Sequence, residues 1–169
     1  MKKRNFITGA SSFIFTGLYP VVSMAENAST YFSLIWRGLD VGFSNIKLKR
    51  SGKKITANIE VKISVKVLNF DAFSYNLKNK EIWEAGVLTK IKSKTIIGKK
   101  TEFVKGERKN KGFQIEGSKF SGLVKGNPAT TSYFSPDFLK RKIWISTQDG
   151  DPLSVNANKI GPDMTKSVD

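Results

Sequence analysis

Neither cysteine nor histidine occurs among the 169 residues of this chain. Without cysteine no disulfide can form, so the core alone must hold the fold. Without imidazole or thiolate, Ser-His-Asp and Cys-His catalysis are ruled out. Zinc, copper and haem centres lose their usual ligands, which leaves only oxygen-ligand ions. The phosphate-binding loops G-x-x-x-x-G-K-[ST] and G-x-G-x-x-G are missing, as is the G-x-S-x-G nucleophile turn. A hydrolase would then need a Ser/Lys pair or two carboxylates. Glu81 and Glu84 stand three apart on an expected strand and point to opposite faces, a poor pair. Asp149 and Asp151 suggest a small Ca²⁺ loop, but further ligands do not follow at the required spacing, and a plain hairpin turn explains them better. No cofactor and no metal is expected.

Arginine is scarce as well, with five against 24 lysines. The whole chain carries 29 basic and 14 acidic residues. Such a balance points to nucleic acid, anionic lipid or acidic polysaccharide as partner. The shortage of arginine, whose planar fork reads bases and phosphates, argues against nucleic acid. Coding bias is the plain alternative, since Lys, Ile, Asn and Phe are all abundant.

A long uninterrupted apolar run is also lacking. The N-terminus begins with Lys2, Lys3 and Arg4, continues through a moderately apolar stretch from Phe6 to Val22, and reaches small residues at Ser23-Met24-Ala25. That is the three-part plan of a cleavable export signal. Thr8, Gly9, Ser11, Ser12, Thr16, Gly17 and Pro20 interrupt the stretch, whereas a spanning helix needs about 20 predominantly apolar residues. Residues 1–25 are therefore expected to be removed, leaving one domain, residues 26–169, in the periplasm with 26 bases against 14 acids, a net of +12. Lys3-Arg4-Asn5-Phe6-Ile7 resembles a twin-arginine signal with its first arginine replaced, so both that route and the general secretory route stay open.

What is present is alternation. In "ITANIEVKISVKV", residues 55–67, apolar and polar side chains alternate without a break, the period that buries one face of a strand and wets the other. The phase slips at Leu68 and returns by Phe73, as a bulge or bend near Asn69–Asp71 would produce. Shorter strands follow in "TYFSLIW", "FSNIKLKR", "FSYNLKNKEIW", "VLTKIKSKTII", "TEFVKGER", "GFQIEG" and "KFSGLV", separated by Gly-containing turns. "SPDFLKR" is the helix candidate, with Ser135 as cap, Pro136 at the first helical position and Asp137 near the dipole. "KIWISTQDGDPLSV" reads as a hairpin turning at Asp149-Gly150. The expected fold is all-β: a single large, curved, mostly up-and-down antiparallel sheet, an open or partial barrel, with one short helix near 135–141.

Three segments carry a family resemblance: "LDVGFSNIKL", "VKVLNFDAFSYNLKNKEIWEAGVL" with its acid two before a Trp (Glu81, Trp83) and Gly86 turn, and "SYFSPDFLKRKIWISTQDGDPLSV". Over most of residues 31–155 the chain resembles the bacterial family numbered 6134 among domains of unknown function. Phe134 stands where that pattern leads one to expect Trp. The resemblance implies an exported protein and carries over no catalytic residue. Relatives continue with further strands after the T-Q-x-G hairpin, so it also implies either a shortened sheet or one completed by a partner strand, from a second copy or another chain.

Two functional expectations follow. The first is a non-enzymatic β protein that holds an apolar or amphiphilic envelope molecule, such as a lipid, on a concave aromatic side lined by Trp36, Phe70, Phe73, Tyr75, Trp83 and Phe134. The second is an interaction module, peripheral to a membrane, that rests a lysine face on anionic lipid or polysaccharide. Lys47 and Lys49, Lys62 and Lys66, and Lys90, Lys92 and Lys94 each share a parity along their strand, which would gather them on one side. An enzyme using Glu81 or Asp149 is a third reading, one that a carboxylate and a perturbed lysine in a shared pocket would revive.

Overall fold

The computed structural model of the protein describes residues 27–67, 70–134 and 137–156. The expected export signal, the Leu68-Asn69 phase slip, the Ser135-Pro136 helix start and the polar C-terminal tail lie outside the described residues. Eight strands follow one another as an antiparallel sheet in chain order: β1 (Asn27–Trp36), β2 (Leu39–Ser51), β3 (Lys54–Val67), β4 (Phe70–Glu84), β5 (Val87–Ile97), β6 (Lys100–Lys109), β7 (Gly112–Gly117) and β8 (Ser121–Val124). Among the described residues the sheet is not closed, and β1 and β8 are its edges. The all-β, up-and-down expectation holds.

The hairpins follow from local chemistry. Arg37-Gly38 and Ala85-Gly86 have both central residues at positive φ, 51° and 79°, then 48° and 78°. These are two-residue turns whose twist matches that of the flanking strands. At the end of β3, Val67 pairs with Phe70, the first rung of the β3–β4 ladder. A register shift follows at once, where Val65 faces Phe73 and Lys66 faces Asp71. Further shifts lie at Leu34/Ile35 and Ile82/Trp83. Each bulge bends its strand.

One face of the sheet is covered. A small second sheet, β9 (Ala129–Thr130), β10 (Ile143–Ile145) and β11 (Pro152–Ser154), pairs β9 parallel and β11 antiparallel to the central β10. Ile145, Ile143 and Phe134 from this segment pack on Trp83, Leu88, Ile91, Val104, Phe113, Ile115 and Val124 of the main sheet. Phe134 also touches the second apolar cluster, around Ala57, Ile59 and Leu77, and so joins the two. Burying a side chain the size of Leu88 or Phe113 contributes roughly 2–3 kcal/mol.

Where a helix was expected, the described residues hold only a 3-10 turn, Phe138–Lys140. The Trp144 indole N–H donates to the carbonyls of Phe138 and Arg141, taking acceptors that a continuing helix would need, and Arg141 is already extended. The β10–β11 connection spans residues 146–151, longer than the tight turn expected at Asp149-Gly150. It docks on the main sheet through Lys119 N–H, which donates to Asp149 O, and through the bare Cα of Gly117, where a Cβ would lie 2.5 Å from that same oxygen.

Candidate functional site

The cross-strand register sorts every side chain of the main sheet onto one of two faces. The face opposite the covered one carries the lysines. Lys47 lies opposite Asn58, Asn58 opposite Lys80, Lys80 opposite Lys92 and Lys92 opposite Lys105. In a neighbouring row Glu60 faces Lys78, and Lys78 faces Lys94. In another Lys49 faces Thr56, and beyond it Lys90 faces Glu107. Lys62 faces Phe43 and Asn76, and Lys66, beyond the bulge, faces Asp71. All seven lysines singled out in the sequence therefore share this face, and Lys78, Lys80 and Lys105 join them.

Pairing of like charges directly across a sheet is unfavourable, yet Lys80, Lys92 and Lys105 stand side by side over about 10 Å of sheet width. The acids nearby are few. Glu60 reaches Lys78 at 3.9 Å, and Glu107 holds Lys90 and Lys109, each at 3.3 Å. Hydrogen bonds from Lys109 and Lys90, with their charges, hold the Glu107 carboxyl below the usual carboxylate range. Among the described residues no salt bridge reaches Lys80, Lys92 or Lys105.

Two shallow grooves run along this band. One, of about 400 Å³, is lined by Lys47, Lys78, Lys80, Lys92, Asn45 and Asn58. The next, of about 490 Å³, is lined by Lys80, Lys90, Lys92 and Lys105 together with Glu107 and Glu116, the latter directly opposite Lys105 on β7. Lys80 and Lys92 belong to both. A third, of about 340 Å³, lies on the same face toward the β2–β3–β4 end and is more apolar, with Phe43 and Ile96 near Lys62. Tyr31 stacks on Phe43 beside it, ring centroids 5.5 Å apart.

The aromatic set is not gathered in one place. Trp83 is 2 % exposed and lies in the core, edge-on to Phe134 at 6.5 Å. Tyr75 is half-buried against the Leu77 cluster, while Phe73 in β4 and Trp36 beside the β1–β2 turn are exposed. Phe70 is placed by its pairing with Val67. Arg37 lies over the Trp36 ring at 4.9 Å.

Glu81 is fully buried, unlike exposed Glu84, so the two do point to opposite faces. Its carboxylate accepts hydrogen bonds from Asn79 Nδ2 at 2.7 Å and Trp83 Nε1 at 2.8 Å, with Ser132 and Thr130 adding theirs from the covering segment. Burial nevertheless pushes its pKa up. The inner face also buries Asn79, Ser93, Thr95 and Glu102, which occupy adjoining ladder positions. The sequence gives no outward sign of these inward polar residues, although Asn79 shares a parity with Leu77 and Trp83, Ser93 and Thr95 with Ile91, and Glu102 with Val104. Asp149 serves the docked connection and Asp151 pairs with Lys119. Among the described residues there is no group of three His, Cys, Asp or Glu side chains that could hold a metal, and no helix long and apolar enough to cross a membrane.

A family model described as Domain of unknown function (DUF6134) matches residues 32–168. No curated protein and no solved structure matches the chain.

Proposed function

We propose that this chain, which belongs to the DUF6134 family, is an interaction module whose lysine face rests on the headgroups of anionic lipid. The observation that carries the reading is the register: Lys80, Lys92 and Lys105 sit directly opposite one another with no acid between them. Coding bias would raise the number of lysines without aligning them across three strands. Juxtaposed cations that weaken the fold by mutual repulsion gain when an anion screens them. The export signal read from the N-terminus supports a place of action in the periplasm.

The apolar groove beside Lys62 favours lipid over polysaccharide. Phe43 and Ile96 offer an acyl chain a place on the same face that offers its headgroup lysines. This joins the amphiphile and lysine-face readings in one surface, away from the buried Trp83.

Vesicle sedimentation tests the proposal. The protein is expected to bind vesicles containing phosphatidylglycerol, to ignore neutral phosphatidylcholine vesicles, and to release as salt shortens the Debye length from about 10 Å at 0.1 M to about 3 Å at 1 M. Replacing Lys80, Lys92 and Lys105 together with Glu should weaken binding at least about 100-fold. Binding that the triple variant leaves unchanged would return the lysines to coding bias. Binding to an anionic polysaccharide but not to vesicles would move the partner to that class.

A further inference from the structure

The two edges of the main sheet are managed differently. β8 is four residues long and followed at once by Lys125, with Lys119 two residues before it, the short kind of edge with charges nearby that discourages added strands. β1 is ten residues long, reads NASTYFSLIW, and holds no Lys, Arg, Asp, Glu or Pro. Among the described residues no strand pairs with its outer side. Tyr31, Phe32, Ile35 and Trp36 along it are each half exposed or more, at 62 %, 50 %, 61 % and 50 %. Such an edge is a template for one more strand.

We infer that the strand it takes is β1 of a second copy, paired antiparallel about a two-fold axis near Phe32. The argument is self-complementarity. A two-fold contact sets the same surface against itself, so any charge near the axis meets its own like. The other strands from β2 to β6 all carry lysine, and the chain as a whole is strongly positive. β1 alone among these long strands can lie against its own copy without opposing like charges. An acidic or basic partner protein would find no complementary charge here. With Phe32 opposite Phe32, Ala28 faces Trp36, Ser29 faces Ile35 and Thr30 faces Leu34, so residues 28–36 are all used.

The symmetry has a further result. A two-fold axis normal to the sheet leaves both copies facing the same way, so one sixteen-stranded sheet would present two lysine bands on one side. The pairing does not depend on what those bands bind.

The absence of native cysteine makes the test clean. Directly opposed residues in an antiparallel pair have Cα atoms about 4.5–5.5 Å apart, within disulfide reach. In the full chain, Phe32→Cys should oxidise rapidly to a covalent dimer. Asn27→Cys should not, because the two copies of that position would lie about 34 Å apart along the paired strands. Leu123→Cys, on β8, should stay monomeric too. By light scattering the unmodified chain should be a dimer, Phe32→Lys should weaken association at least about 10-fold by opposing two charges at the axis, and Leu153→Lys, on the small sheet, should leave it unchanged. Circular dichroism checks that each variant keeps its β structure. A monomeric unmodified chain, association indifferent to Phe32→Lys, or faster cross-linking at Asn27 or Leu123 than at Phe32 would each overturn the inference.

Discussion

Glu81 shows how much one side chain can be asked to do. It takes hydrogen bonds from its own strand, through Asn79 and Trp83, and from the covering segment, through Thr130 and Ser132, so it ties the second sheet to the first. Those donors favour the charged carboxylate, but desolvation outweighs them and raises the pKa above its ordinary 4.5. An acid that binds its proton more tightly folded than unfolded makes the fold less stable as pH rises from the unfolded value through the raised folded one. Urea denaturation between about pH 4 and about pH 8 should show this decline, with a slope no steeper than about 1.4 kcal/mol per pH unit from this group. Glu81→Gln removes the titrating proton, so its stability relative to the unmodified chain should improve as pH rises through that window. Parallel pH curves for the two proteins would assign the decline to other groups. The sequence named Glu81 for its place two residues before Trp83. It gave no hint of the Thr130 and Ser132 contacts, which come from a segment some fifty residues away.

At the scale of the strand, parity was the legible signal. Lys47, Lys49, Lys62, Lys66, Lys90, Lys92 and Lys94 could be assigned to one face because on each strand they share one parity. Asn79, Ser93 and Glu102 were hidden by the same rule, which reads a polar residue as outward. What decides their direction is the ladder, where Asn79 meets Ser93 and Glu102 meets Thr95, and a ladder is a non-local fact. The bulge or bend expected near Asn69–Asp71 has its counterpart in the register shift where Val65 faces Phe73 and Lys66 faces Asp71. Glycine in "LDVGF" has a local reason to be there. At Gly42, φ is 149° and an added Cβ would sit 1.9 Å from the carbonyl oxygen of Lys62 in the adjoining strand. That oxygen belongs to the ladder and cannot step aside. Gly42→Ala should therefore lower unfolding free energy by about 2 kcal/mol or more, measured by urea titration. Gly38→Ala, in an open turn with nothing within 4 Å, should lose only about 1 kcal/mol, the strain of its left-handed backbone.

The whole molecule carries its repulsion on one side and its core on the other. Concentrating lysines on one face should make stability rise with ionic strength, the opposite of what a surface held by ion pairs would show. Thermal melts in sodium chloride from about 0.02 M to about 0.5 M should move the midpoint upward by several degrees. The Lys80, Lys92, Lys105 triple Glu variant should flatten that dependence, and a midpoint that falls with salt would contradict the account. The strand order of the large sheet has a consequence of another kind. Every pairing from β1 to β8 joins neighbours in the chain, so each strand finds its partner in the segment made or delivered just before it. Such a sheet has mostly short-range pairings to close, the condition that favours rapid folding. It can zip up in order as a chain emerges N-terminus first from a ribosome or a translocation pore. The covering segment with Phe134, Ile143 and Ile145 must wait, and its arrival from the last third of the chain turns a growing ribbon into a sealed core.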